Sequence, residues 1–183
     1  MDTNIRWRFD YDKAIEIIVW LANRNPGIDI YHVAKVVYFA EKLHLNRYAR
    51  PIVGDTYINM DYGQVPSGIR DLITENPLLS PDHLQKVADS FVVQKSPHPS
   101  LKSLREPNMD YFSGTDIQCL EESLREYGEK SFSELKRIAH DEKSYLRTDL
   151  NQPINYTLLI DDDNPNREEI LEEMSQTSVY VQF

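Results

Sequence analysis

Apolar residues recur at helical spacing soon after the N-terminus. Ala14, Ile17, Ile18 and Leu21 form one stripe, and Ile15, Val19 and Ala22 form a second. The spacing predicts a helix over 12–23, buried on two sides. Asn25-Pro26-Gly27 ends it, since proline cannot continue a helix and glycine tolerates positive φ. Asp29 is a good N-cap for a second helix, and Ile28 and Val33 have hydrophobic-staple spacing around it. Val33, Val36, Val37, Ala40 and Leu43 carry the stripe on to about Asn46. Both helices are rich in β-branched residues, so packing rather than intrinsic propensity must hold them.

The period then changes. Gly54-Asp55 separates Pro51-Ile52-Val53 from a run in which Thr56, Ile58 and Met60 alternate with Tyr57 and Asn59. This predicts a hairpin turning at Gly54-Asp55, with a turn over 63–67 behind it. Ser67 opens a helix over 68–74 with Ile69, Leu72 and Ile73 inside. Ser80-Pro81-Asp82 reads as an N-cap with proline at the first helical position, starting a short helix. Residues 91–93 and 101–104 predict a second strand pair. Ser113 caps a helix over 114–127, with Ile117, Leu120, Leu124 and Tyr127 on one face. Ser131 and Glu134 have capping-box spacing and open a helix carrying Phe132, Leu135, Ile138 and Ala139. Farther on, 156–160 reads as a short strand, 161–165 as a polar break and 167–174 as an acidic helix. The fold class is mainly α (α+β): a compact helical domain with one or two short β hairpins packed on the helical core. Residues 1–150 are expected to form that domain. Residues 151–183 are expected to be a C-terminal extension that packs on it or binds a partner.

Charge narrows the function classes. The 183 residues hold 20 Lys and Arg against 30 Asp and Glu, a net charge of −10. Such a surface disfavours nucleic acid, whose phosphates need clustered cations, and disfavours anionic lipid. The longest apolar run, 17–22, is far short of the roughly 20 residues of a bilayer span. The polar N-terminus has no signal-peptide core, and a single cysteine excludes an internal disulfide. These features point to a cytoplasmic protein, with Cys119 as a small buried filler.

No catalytic, metal or cofactor site is expected. The five histidines, His32, His44, His83, His98 and His140, make no HExxH pattern. His140-Asp141-Glu142 is the nearest cluster, but neighbouring helical residues point in different directions. His140 is expected to bond a backbone carbonyl, and Glu142 a neighbouring helix. Glu121-Glu122, Glu168-Glu169 and Glu172-Glu173 read as solvated faces. Asp161-Asp162-Asp163 lacks the glycine and closing glutamate of a calcium loop.

One ordered series of motifs is more specific than any of these. KVVYFAEKLHL (35–45), then Arg50-Pro51, then MDYGQVPSGIRDL (60–72), then EESLREYGEKSFSELKRIAHDEKSY (121–145) resembles the Panacea domain of SocA-like antitoxins and phage-associated proteins. The likeness spans roughly 13–148, about three quarters of the chain. Three positions depart from the family pattern. Gln64 replaces a proline and is expected to loosen the turn. Ala139 replaces a threonine, and Tyr145 stands where tryptophan is common. The resemblance implies an antitoxin of a type II toxin–antitoxin system, not an enzyme, that neutralises a cognate toxin protein by direct binding. The alternative is a proteolytic adaptor or phage-encoded regulator that binds a host protein. A protease such as a Clp-type complex is the further partner implied. Partner binding is assigned to Tyr38, Tyr57, Tyr62, Gln64, Pro66 and Arg70. Lys35, Phe39, Gly63, Val65, His140 and Glu142 are assigned structural roles. Aromatic residues serve cores and hot spots alike. Tyr38, Phe39 and Tyr62 therefore carry both readings, with packing of the hairpin on the second helix favoured.

Overall fold

The computed structural model describes residues 5–95 and 97–178. Helices α1 (Tyr11–Arg24) and α2 (Ile30–Tyr48) come first, followed by the hairpin β1 (Tyr57–Met60) and β2 (Gly63–Pro66). Then come α3 (Ser67–Ile73), α4 (Pro81–Ser90), and a second hairpin of β3 (Phe91–Gln94) and β4 (Ser100–Ser103). Helices α5 (Gly114–Tyr127), α6 (Phe132–Asp141), α7 (Lys143–Leu146) and α8 (Arg167–Thr177) complete the order. Among the described residues, no helix is long and apolar enough to cross a membrane.

The doubled stripe of α1 has the expected consequence. Every residue from Ala14 to Ala22 is buried, between α3, α4 and β4. Glu16 lies within that span and is held by both terminal nitrogens of Arg105 and by the Asn108 amide. Helix α2 is the axis of the molecule, touching α5, α3, α6, α8 and β2. One apolar cluster surrounds Trp20, Val36, Leu72 and Leu120. A second joins Tyr38, Phe39, Leu45 and Tyr57 to Ile154, Tyr156, Leu159 and Met174. Residues between Ile154 and Met174 thus contribute to the core. Cys119 is buried, and Ser113 and Ser131 each make the full capping box.

Two expectations about strands are corrected. The first hairpin pairs 57–60 with 63–66 about an Asp61-Tyr62 turn, with Met60 opposite Gly63. The 52–54 amides cannot join a ladder because Ile52, Val53 and Gly54 all donate to the buried Glu41 carboxylate. The Asp55 carboxylate then accepts from the Gly68 and Ile69 amides and so caps α3 from outside the helix. The second correction concerns 156–160, where Tyr156–Leu159 is a 3-10 turn rather than a strand. The free edge of β1 is already taken upstream, where Ile154 donates to the Tyr57 carbonyl and Asn151 to that of Asn59.

Candidate functional site

An open groove of about 700 Å³ crosses the face where the first turn of α2, the Asp61-Tyr62 turn, β2, α3 and the start of α6 meet. Its floor is apolar: Ala34, Val65, Pro66, Ile69 and Ile73. Three aromatic rings stand along one rim. Phe132 packs against Tyr31 at 4.5 Å and edge-on against Tyr62 at 5.3 Å, between ring centroids. The Tyr31 hydroxyl donates to the Tyr62 carbonyl at 3.2 Å, and Lys136 lies over the Tyr62 ring. Tyr62 and Phe132 are 54% and 47% exposed, high values for rings that already touch each other. Exposed aromatics beside an apolar trough are the usual make-up of a protein-binding hot spot.

The groove is rigidly backed. His32 bridges the Asp29 carboxylate at 2.8 Å and the Lys130 carbonyl at 2.7 Å. Both partners are acceptors, so the ring must carry both protons, and the hydrogen bond to Asp29 raises its pKa. Behind the hairpin, Lys35 is fully buried and donates to the Gln64 carbonyl at 2.8 Å. Its ammonium also lies over the Tyr31 ring at 5.1 Å. Burial pulls the Lys35 pKa down to about 7. Gly63 has a φ of +98°, and a side chain there would collide with Ala139 and Lys35.

The residues assigned to partner binding divide. Tyr62 and Arg70 are exposed on the groove, and Pro66 forms part of its floor. Tyr38, Tyr57 and Gln64 are fully buried, so no partner can touch them, and this part of the assignment is corrected. Tyr38 shares a hydrogen bond with Ser144 at 2.7 Å, and Tyr57 packs between Tyr38 and Tyr156. Gln64 does not loosen the turn. Its amide nitrogen donates to the Ala139 carbonyl and to Ser144, tying β2 to α6 and α7. Among the structural positions, Phe39 stacks on Tyr127 at 4.0 Å and shares a buried apolar cluster with Tyr57 of the hairpin. Val65 faces the groove. His140 donates to the Asp61 carbonyl at 3.0 Å, and Glu142 accepts from Lys42 of α2 at 2.8 Å.

Tyr31 and Phe132 stand outside the sequence assignment of site residues. Tyr31 follows the Asp29 cap, and Phe132 is the first residue after the Ser131 cap. A large aromatic in the first turn of a helix, beside its cap, is the signal that could have found them. Among the described residues, no group of three or more His, Cys, Asp or Glu side chains is placed to hold a metal ion.

A sequence-family model described as an antitoxin SocA-like, Panacea domain matches residues 33–145, more than half of the chain. That segment contains the hairpin, α3 and Phe132, and hence most of the groove. No curated protein and no solved structure matches the chain.

Proposed function

Because the chain belongs to the family of SocA-like antitoxins with the Panacea domain, we propose that it neutralises a cognate protein toxin, as the antitoxin of a type II system. Binding is direct and non-covalent, and the apolar groove is the surface that takes the toxin. The carrying observation is the rim of Tyr62 and Phe132, exposed side by side within the family's own segment. The occupant is a segment of the toxin with apolar side chains that fill the trough between Ile69, Ile73 and Phe132. Its desolvation supplies affinity. The net charge of −10 adds steering toward a toxin with a basic surface, which acts on encounter rate more than on affinity.

The test is rescue of growth when the neighbouring gene product is expressed together with this chain. Tyr62→Ala combined with Phe132→Ala should abolish rescue and weaken the purified complex by about 2 kcal/mol, roughly 30-fold. Leu150→Ala, at an exposed residue outside the groove, should leave both unchanged. Full rescue by the groove double variant, present at normal levels, would remove the groove from the proposal.

A further inference from the structure

A second cleft, of about 710 Å³, lies between the N-terminal arm, the 54–58 segment and the chain around 147–158. Its chemistry is opposite to that of the groove. Arg6 and Arg147 both line it and both are exposed. Several arginines elsewhere reach carboxylates: Arg47 meets Glu122, Arg50 meets Asp116, Arg105 meets Glu16 and Arg167 meets Asp162. Among the described residues, neither Arg6 nor Arg147 makes a direct ion pair or side-chain hydrogen bond, although Arg147 lies near enough to Asp162 to help lower its pKa. Thirty acidic residues are available to a chain of net charge −10, yet this cleft brings together two guanidinium groups with no carboxylate in direct contact. Asp55 also lines the cleft, yet its carboxylate is engaged by the Gly68 and Ile69 amides at 2.7 and 2.9 Å. It does not neutralise the arginines.

Trp7 supplies an aromatic wall. Its Cβ would be 2.8 Å from a side chain at Gly54, so the N-terminal arm presses directly on the positive-φ glycine. It meets Tyr156 edge-on at 6.4 Å between centroids. Thr56 and Thr157 add hydroxyl-bearing side chains. Guanidinium forks match phosphate oxygens, and aromatic rings take the flat face of a base. The volume suits one small ligand. A polynucleotide needs an extended cationic track, which the charge balance does not offer.

The cleft also differs in origin. Arg6, Trp7, Arg147 and the 153–158 wall all lie outside the segment that the family model matches. A site here is an addition to the shared domain. We propose that this cleft binds a nucleoside phosphate, with the phosphate on Arg6 and Arg147 and the base against Trp7.

The full chain would be titrated with ATP and, in parallel, with inorganic phosphate and a hexaglutamate peptide, using equilibrium dialysis and tryptophan fluorescence. Trp20 is buried in α1, so a ligand in the cleft alters the signal of Trp7. ATP should bind saturably and far more tightly than phosphate. Trp7→Phe should abolish the fluorescence change, and Arg6→Ala with Arg147→Ala should raise the dissociation constant at least about tenfold. Unchanged circular dichroism and melting would establish that the variants fold. Tyr62→Ala should bind ATP like the parent, which separates this site from the groove. Three results would overturn the proposal: no saturable ATP binding, binding indifferent to both arginines, or phosphate or the peptide binding as well as ATP.

Discussion

Lys35 and Glu41 lie about 9 Å apart along the axis of α2, and both are fully buried. Glu41 is surrounded by donors, the amides of Ile52, Val53 and Gly54, with the Tyr156 hydroxyl nearby and donating to the Asp55 carbonyl at 2.6 Å. Lys35 has one acceptor, the Gln64 carbonyl, and the face of Tyr31. Burial pushes the Glu41 pKa up to about 7 and pulls that of Lys35 down to about 7. The same helix therefore carries a nearly saturated polar anchor at its rear and an undersupplied charge at its front, beneath the groove. Buried charges with full hydrogen bonding fix structure, whereas one with few partners lowers stability where it sits. The rear of the molecule is built to hold, and the front carries the surface proposed to bind.

Removing the anchor should have the largest effect. Glu41→Ala strips the acceptor from three amides inside the core. A loss of roughly 3–5 kcal/mol in unfolding free energy is expected from chemical denaturation. Glu41→Gln, which keeps one carbonyl oxygen, should lose less. If Glu41→Ala unfolds at the parent's denaturant concentration, the 50–55 segment is held by something else and the rear is no anchor.

This anchor also marks what the sequence leaves hidden. The caps at Asp29, Ser113 and Ser131 are legible because a cap and its amides lie within three residues of each other. The alternation in 56–60 is legible too, but its partner is not. Gly54-Asp55 carries turn chemistry, and nothing local says that Glu41 will take the amides on one side of it. The groove is legible in part, through Tyr62, Pro66 and Arg70, because the motif series places them on one hairpin and helix. The burial of Tyr38 and Tyr57 is not legible, because a tyrosine's type does not say which face it will occupy. The positions of Tyr31 and Phe132 depend on elements some hundred residues apart in sequence, and no local pattern encodes their meeting.

Lys35→Met should have a smaller effect of opposite sign. The thioether fills similar space without a charge to desolvate, so a gain of about 1–3 kcal/mol is expected near neutral pH. The pH dependence sharpens this. Lys35 is depressed from its ordinary 10.5, so its penalty is full below about 7 and fades as pH rises toward 10.5. Glu41 is raised from 4.5, so it favours the folded state at acid pH, and that favour is lost as pH rises through about 7. Asp55, raised by burial to about 6, acts in the same sense. Together these groups contribute least to stability near neutrality. In Lys35→Met the alkaline limb should flatten, and its advantage over the parent should shrink by pH 10. A variant less stable than the parent at pH 7, or an advantage that grows with pH, would mean that the lysine anchors the hairpin as Glu41 anchors the loop.

The smallest effect on folding should come from the groove itself. Tyr62 projects from the Asp61-Tyr62 turn, and its ring touches only Phe132 and Lys136 among its aromatic and cationic contacts. Alanine keeps the main-chain carbonyl that accepts from Tyr31, and the His140 bond goes to the carbonyl of Asp61. The hairpin's backbone ties therefore survive the substitution. Tyr62→Ala should change unfolding free energy by no more than about 0.5 kcal/mol. A ring left half-exposed, with so little stability resting on it, is more economically explained by contact with a partner than by packing. If Tyr62→Ala instead destabilises the chain as Glu41→Ala does, the turn belongs to the anchor, and the division of α2 into a holding end and a binding end fails.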